Sequence, residues 1–181
     1  PIADTIPFFG EILPDDLLAQ INAGKPPTVD EYVAFAKEAF SLYHGRADGR
    51  LRFMVAPSGP QRCTVKLMQA ADELAQANGT AFHTHILETK VQAVSGQEFY
   101  GKTLVQYMHD LGLLNRGTTI AHGVWVTDAD IALLGEAKCS VVHNSISNLK
   151  LSSGIAPIRK LIDAGVNVAL GTDGTATSDT A

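Results

Sequence analysis

The sequence is poor in the features that mark nucleic-acid-binding, membrane and secreted proteins. Its 181 residues carry a net charge of −5 and contain no run of basic residues, which argues against nucleic acid or an anionic membrane surface as a partner. No apolar stretch approaches the length of a membrane span, and no charged-then-apolar signal segment opens the chain. Only two cysteines occur, Cys63 and Cys139, without CxxC spacing, so we expect a reduced, cytoplasmic protein.

The chain also lacks a dinucleotide-binding turn, since no GxGxxG sequence follows any predicted strand. It does contain 45% hydrophobic residues, arranged in alternating strand and helix patterns. The strands are predicted at residues 51–56, 80–86, 118–124, 139–143 and 166–171. Each strand except the last precedes a predicted helix, which indicates an α/β fold with a parallel sheet. A complete (β/α)8 barrel needs roughly 200 residues or more. We therefore expect an incomplete TIM barrel, with a doubly wound sheet as the alternative.

Capping residues and apolar spacing predict where the helices begin and what they bury. Thr28 and Glu31 form a predicted capping box, and Thr64 and Thr127 are predicted N-caps of later helices. A further capping box is predicted at residues 95–98, and a polar loop at residues 144–150. The helix after Thr28 is expected to bury a face made of Tyr32, Phe35, Ala39 and Leu42. A later helix face is expected to consist of Ile155, Ile158, Leu161 and Ile162.

The last strand has the pattern of a barrel strand. Its large apolar residues share one face, where we expect them to meet helices: Val166, Val168 and Leu170. Small or polar residues share the other face, which we expect to line the crowded interior: Asn167, Ala169, Gly171 and Asp173.

Residues 81–88 contain the end of a predicted strand, and several ionisable side chains lie there. His83 and His85 lie two residues apart, so a strand directs them to the same side. Glu88 follows where the strand should give way to a loop. An imidazole followed by a carboxylate indicates a metal ligand with a nearby proton carrier. The alternative is a half-buried strand with two hydrogen-bonded histidines.

Comparison of the strand ends favours the metal site. His85, His122, His143 and Asp173 occur in or just after four consecutive predicted strands. Parallel strands bring their C-terminal ends to one rim, where α/β barrels keep their reactive groups. We therefore expect His85, His122 and Asp173 to point into one concavity.

Four motifs in this order resemble the metal-dependent amidohydrolase superfamily, in its cytosine deaminase, S-adenosylhomocysteine deaminase and chlorotriazine hydrolase branch. They are HTHILET at 83–89, AHGVW at 121–125, HNSISNLKL at 143–151 and GTDG at 171–174. The resemblance runs from about residue 51 to the end of the sequence. It implies a TIM barrel that uses one divalent metal per active site, usually Zn²⁺ and sometimes Fe²⁺.

The resemblance also implies a role for each matched residue. His85 is similar to the fifth-strand histidine that binds the metal. Asp173 is similar to the eighth-strand aspartate that binds the metal and takes a proton from the attacking water. Glu88 resembles the acid that protonates the ring nitrogen and the leaving group. His122 resembles the sixth-strand histidine that hydrogen-bonds the attacking oxygen.

Two departures from the family pattern stand out. The family's first strand supplies an HxH pair of metal ligands, and nothing before His83 matches that pair. Ser145 stands where the family usually has proline. We expect residues 1–181 to be the C-terminal part of one catalytic barrel domain, with the N-terminal strands and a flanking β-sandwich domain outside this sequence. A non-catalytic half-barrel that binds no metal is the alternative.

The remaining polar residues have weaker assignments. We expect His83 to be packed or to support a ligand, and His143 and Asn148 to organise the loop after their strand. Trp125 and Ser58 are candidate substrate-binding residues together with His122. Adenosine-type deaminases of this branch tend to carry histidine where Ser58 stands, which argues weakly against a thioadenosine substrate.

The expected function is hydrolysis of a C–N bond. The expected substrate is a small amino-substituted nitrogen heterocycle, which would be deaminated. Removal of chloride or an alkylamine from a triazine-like ring is the alternative chemistry. Neither nucleic acid nor a membrane is expected as a partner, and the resemblance is compatible with a homodimer.

Overall fold

The structure, a computed structural model, describes residues 13–24 and 27–177. The chain divides into two compact units, Pro1–His83 and Thr84–Ala181. The described residues form eight helices and four strands. In chain order these are α1 (Asp15–Ala23), α2 (Val29–Tyr43), α3 (Val65–Ala77), β1 (Phe82–Ile86), α4 (Lys90–Tyr100), α5 (Leu104–Asp110), β2 (Thr118–His122), α6 (Asp128–Glu136), β3 (Ser140–His143), α7 (Ser145–Lys150), α8 (Ile158–Asp163) and β4 (Asn167–Leu170). No described helix is both long and apolar enough to cross a membrane.

The first unit is built on α2 and α3, which pack against each other. Their N-termini form as predicted. Thr28 Oγ1 accepts from the Glu31 backbone N–H at 3.2 Å, and Glu31 Oε2 accepts from the Thr28 N–H at 2.8 Å. Thr64 Oγ1 accepts from the Leu67 N–H in the same way. The core residues of this unit include Ala36, Phe40, Leu67, Met68 and Ala71.

The predicted apolar face of α2 is partly wrong. Phe35 is 62% exposed and Leu42 is 42% exposed. The buried row consists instead of Val29, Tyr32, Ala36, Ala39 and Phe40. Successive helix residues are about 100° apart, which places Phe35 and Leu42 to one side of that row.

The strand predicted at residues 51–56 is also wrong, because only Val55 pairs, in a single parallel bridge with Phe82. Side chains satisfy the backbone of the neighbouring Phe53. Its N–H donates to His44 Nδ1 at 3.1 Å, and its carbonyl accepts from Thr80 Oγ1 at 2.9 Å. With these groups engaged, a strand ladder cannot extend through Phe53.

A four-stranded sheet in the order β1-β2-β3-β4 provides the framework of the second unit, which begins within β1 at Thr84. The β2–β3 and β3–β4 pairs are parallel, with Ile120 opposite Val141 and Val141 opposite Val168. Helix α4 packs on α5, α5 on α6, α6 on α8, and α8 on β4. The core residues include Leu104, Met108, Ile120, Leu134, Val141 and Leu161, all fully buried. The predicted α/β alternation with a parallel sheet is therefore present.

Two local predictions in this unit are wrong. Residues 95–98 do not begin a helix, because Ser95 lies buried inside α4 and its hydroxyl donates to the Gln92 carbonyl. The capping box belongs to α5, where Thr103 pairs with Gln106. Residues 144–150 are not a loop, since Ser145–Lys150 forms α7. The six residues of α7 are too few to show the apolar periodicity by which a helix is recognised.

The faces predicted for the last helix and strand are only partly correct. Leu161 is buried, but Ile155 is 78% exposed and Ile162 is 52% exposed. In the last strand Val166 is buried and Leu170 is 84% exposed. Leu170 lies at the end of the edge strand, and no helix follows β4 among the described residues to cover it.

Candidate metal and catalytic site

Strand β1 delivers its histidines to one face. Phe82, Thr84 and Ile86 are buried, whereas His83 and His85 are half-buried. This alternation follows from the pleat of the strand, which directs successive side chains to opposite faces. The predicted common face of the two histidines is therefore present.

The turn after β1 directs Glu88. Leu87 has a φ of 54°, a left-handed conformation that is unusual for leucine. Its carbonyl accepts from the backbone N–H groups of Val124 at 2.9 Å and Trp125 at 3.0 Å. The Glu88 N–H donates to Gln92 Oε1 at 2.8 Å. The loop after β2 and the first turn of α4 thus hold the backbone on both sides of the Glu88 side chain.

Three metal-competent side chains meet in the second unit, namely His85, His122 and Asp173. One ligand atom from each lies within 4.8 Å of the others. The rings of His85 and His122 stack with centroids 5.5 Å apart. His122 is 1% exposed, while the Asp173 side chain is 23% exposed. The sequence-predicted convergence of these residues is therefore present.

Two carboxylates flank His122. Its Nε2 lies 3.9 Å from Glu88 Oε2 and 3.9 Å from Asp173 Oδ2. The arrangement places one candidate proton donor, one candidate proton acceptor and an imidazole nitrogen around the same small space. General acid–base chemistry requires this kind of proximity between the groups that exchange protons.

Ser147 supports Asp173 from α7, a contact that the sequence pattern does not predict. Its fully buried hydroxyl donates to Asp173 Oδ2 at 2.5 Å. Burial by itself raises the pKa of the Asp173 carboxyl. Hydrogen bonds from Ser147 and the Gly174 backbone, with the nearby His122 and His85, outweigh this effect and hold that pKa below its usual range. Asp173 is therefore ionised near neutral pH.

Asn148 contacts His122 from the same helix. Its Oδ1 lies 2.8 Å from His122 Nδ1, and both residues are 1% exposed. In the sequence, Ser147 and Asn148 lie in a run of small polar residues directly after the strand that ends at His143. Such a run predicts a loop, whereas the residues form α7, from which both side chains reach neighbouring strand ends.

The glycine at position 171 allows β4 to approach β3 closely just before Asp173. A Cβ atom added to Gly171 would collide with Asn144 Oδ1 and Val142 Cγ1. Any larger residue would therefore displace the segment that carries Asp173.

The remaining candidates are Trp125, His143 and Ser58. The Trp125 indole N–H donates to the Ser153 carbonyl at 2.9 Å, and Trp125 is 39% exposed. His143 is half-buried, and burial lowers its pKa. Ser58 lies in the first unit and is partly buried. The substrate-binding roles of Trp125 and Ser58 stay predictions.

The donor set fits a divalent metal. Two imidazole nitrogens and one carboxylate oxygen are ligands that zinc accepts at about 2.0–2.2 Å. The three ligand atoms lie within 4.8 Å of one another. The hydrogen bond from Ser147 to Asp173 is the kind of outer contact that orients a metal-binding carboxylate.

Comparison with known proteins identifies the family of this chain. The sequence profile of the Amidohydrolase family matches residues 23–181. A 5-methylthioadenosine/S-adenosylhomocysteine deaminase of Caldanaerobacter subterraneus subsp. tengcongensis is 42% identical over 150 residues, which is 83% of this chain and 35% of the relative. The chain thus spans about a third of that relative's length.

Two solved structures are similar in fold. Atrazine chlorohydrolase from Arthrobacter aurescens TC1, complexed with zinc, has a TM-score of 0.80 and 27% identity over 85% of this chain and 34% of its own. An adenosine deaminase from Xanthomonas campestris with bound zinc has a TM-score of 0.78 and 34% identity over 84% of this chain and 34% of its own. The family match and these structures confirm the predicted fold class, an incomplete barrel of the metal-dependent hydrolase type.

Proposed function

Because this chain belongs to the Amidohydrolase family, we propose that it carries part of the active site of a metal-dependent hydrolase. The proposed reaction is hydrolysis of a C–N bond, most simply the deamination of an amino-substituted nitrogen heterocycle. The observation that carries the proposal is the convergence of His85, His122 and Asp173, with Glu88 3.9 Å from His122.

In the proposed site, His85 and Asp173 would hold the metal. When bound, a zinc ion supplies a Lewis acid that lowers the pKa of water to about 7. We favour zinc over iron because both solved structures described above contain zinc. Ser147 keeps Asp173 Oδ2 oriented toward the site through its hydrogen bond.

Residues of this chain would carry out the proton transfers. Asp173, ionised near neutral pH, accepts a proton from the attacking water. His122 Nε2 hydrogen-bonds the attacking oxygen from its buried position. Glu88, with a side chain 20% exposed, donates its proton to the ring nitrogen, receives the proton that Asp173 took from the water, and passes that proton to the departing amine. The remaining proton of the attacking oxygen then restores Glu88 as the oxo product forms. Protonation of the amine is required because an amide anion is a very poor leaving group.

For the substrate, we propose a purine nucleoside of the adenosine type. The 42%-identical relative and one of the two solved structures are named as deaminases of adenosine or its derivatives. Serine at position 58, where adenosine-type deaminases of the resembling branch tend to carry histidine, argues weakly against a thioadenosine. A triazine is the second candidate, and it is favoured by the fold similarity to atrazine chlorohydrolase.

We also propose that residues 1–181 form the later part of one barrel domain. The chain covers 35% of the deaminase relative and 34% of each solved structure, which supports this assignment. The HxH ligand pair that the family resemblance implies would then lie in the rest of that domain.

The test is a turnover assay on the protein in its full natural length, with metal content measured on the same sample. The panel contains adenosine, 5′-methylthioadenosine, S-adenosylhomocysteine, cytosine, a pterin and atrazine. We expect ammonia release from an adenosine derivative that is lost on chelation and restored by Zn²⁺. Chloride release from atrazine would favour the second candidate. A protein that binds no metal and turns over nothing would support the non-catalytic half-barrel.

A further inference from the structure

The imidazole of His122 has different surroundings at its two nitrogens. Nδ1 lies 2.8 Å from Asn148 Oδ1, and Nε2 faces Glu88 and Asp173 at 3.9 Å each. An amide oxygen can only accept a hydrogen bond, so the proton of this contact must be on Nδ1. A neutral imidazole carries one proton, and Nε2 is then an acceptor.

Water cannot replace this contact, because His122 and Asn148 are each 1% exposed. Asn148 is also held firmly in place by its backbone. Its N–H donates to the Asn144 carbonyl at 2.9 Å, and its carbonyl accepts from the Ser153 N–H at 2.8 Å. The side chain therefore approaches His122 from a fixed point on α7.

The orientation of the Asn148 side-chain amide is energetically unfavourable, which indicates that it has a role at His122. Asn148 Nδ2 is buried and has no hydrogen-bond partner among the described residues. A buried donor without a partner is unfavourable and therefore calls for an explanation. Turning the amide over would place Nδ2 against His122 Nδ1, which would force the imidazole proton onto Nε2.

We propose that Asn148 is a positioning residue that keeps the proton of His122 on Nδ1, so that Nε2 faces Glu88 and Asp173 as an acceptor. The hydrogen bond itself is independent of the proposed hydrolysis, whereas its benefit to turnover rests on that proposal. With the other tautomer, Nε2 would become a donor and could no longer accept from the attacking water or bind a metal.

The direct test is NMR of ring-¹⁵N-labelled histidine in the metal-free protein, at about pH 8.5, well above the ordinary histidine pKa of about 6.5. The spectrum of His122→Gln assigns the His122 signals. We expect wild-type His122 to show only the Nδ1–H form. Asn148→Asp retains an oxygen acceptor and should retain that form, whereas Asn148→Ala should give a mixture or the Nε2–H form.

Asn167→Ala is the matched control, because exposed Asn167 bonds Ser140 on the sheet edge and should leave the His122 signals unchanged. An Nε2–H signal in the wild type would overturn the proposal. An unchanged tautomer in Asn148→Ala would overturn it as well. Should Asn148→Ala fail to fold, the wild-type and Asn148→Asp spectra decide the question.

Kinetics separate this inference from the proposed function. In the full-length enzyme, Asn148→Ala should lower kcat by about 10–100-fold with a smaller change in KM, and Asn148→Asp should recover most of it. If His122 shows the Nδ1–H tautomer but the protein has no hydrolase activity, the role of Asn148 stands and the proposed function is wrong. If the enzyme is active but His122 shows the Nε2–H tautomer, the proposed function stands and the role of Asn148 is wrong.

Discussion

At the residue scale, the candidate site depends on backbone conformations that most side chains avoid. His122 has a φ of 77°, Asp173 has a φ of 63°, and Leu87, just before Glu88, has a φ of 54°. Histidine and aspartate tolerate the left-handed region better than most residues, whereas leucine rarely adopts it. Such conformations cost of order 1–3 kcal/mol each and concentrate at functional sites. At Leu87 the turned carbonyl binds two N–H groups of the loop after β2, which offsets part of that cost.

The first prediction concerns Glu88. In the full-length protein, Glu88→Gln should retain the metal and lower turnover by about 100-fold or more, because the neutral amide cannot donate the proton that the leaving group needs. Steady-state kinetics and metal analysis on one preparation measure both effects. Glu98→Gln, an exposed change on α4, is the control and should behave as wild type. Loss of metal from Glu88→Gln would contradict the assigned role.

The second prediction concerns Asp173. We expect Asp173→Asn to weaken zinc binding and to lower turnover, since the amide neither supplies a charged ligand nor accepts a proton from water. Zinc titration followed by calorimetry measures the affinity, and the same sample is assayed for activity. The exposed Asp163→Asn is the matched control. Wild-type zinc affinity together with a wild-type rate would refute the assignment of Asp173.

At the scale of elements, one buried carboxyl joins two helix N-termini. Asp130 is fully buried within α6. Its Oδ2 accepts from the Thr127 N–H at 2.8 Å and from the Thr127 hydroxyl at 2.9 Å, while its Oδ1 accepts from Thr103 Oγ1. Thr103 is the N-cap of α5 and Thr127 is the N-cap of α6. The capping of each helix therefore depends on the position of the other.

The third prediction concerns removal of the Asp130 carboxyl. Asp130→Ala should reduce the free energy of unfolding by about 1–3 kcal/mol, because it removes the carboxylate that accepts from the Thr103 hydroxyl and the Thr127 N–H and so weakens both N-caps. Asp128→Ala removes only an exposed ion pair with Lys160 and should cost about 1 kcal/mol or less. Chemical denaturation of both variants measures the difference. Equal stability of the two variants would show that the shared cap does not stabilise the helices.

At the scale of the whole molecule, the sheet has an edge at β4 that no other described strand pairs with. Strand β4 ends the strand order of the described sheet, and Leu170 on that strand is 84% exposed. An unpaired strand with an exposed apolar residue can pair with another chain. A charged side chain at this position would oppose such pairing.

The fourth prediction follows from this edge. The 181-residue chain should self-associate as its concentration rises, and Leu170→Lys should shift the association to higher concentration. Ile162→Lys is the matched control, since Ile162 is 52% exposed on α8 and lies off the strand edge. Sedimentation velocity over a concentration series measures the association. A wild-type chain that stays monomeric throughout, or an equal effect of Ile162→Lys, would contradict the prediction.

The sequence by itself determined the features that depend on near neighbours. The caps at Thr28, Thr64 and Thr127 each involve a hydrogen bond across three residues, so local sequence specifies them. The common face of His83 and His85 follows from strand alternation alone. The order of histidine and aspartate at successive strand ends likewise predicts three candidate site residues at one rim.

Only the tertiary structure decided the contacts that join distant segments. Ser147 meets Asp173, and Asn148 meets His122, each across 26 residues of sequence. Neither contact has a local signature, because it requires the strands to be aligned and α7 to form beside them. The strand expected at residues 51–56 does not form for the same reason. A strand is stable only if a partner strand satisfies its backbone hydrogen bonds, and here the side chains of His44 and Thr80 bond the backbone of Phe53 instead.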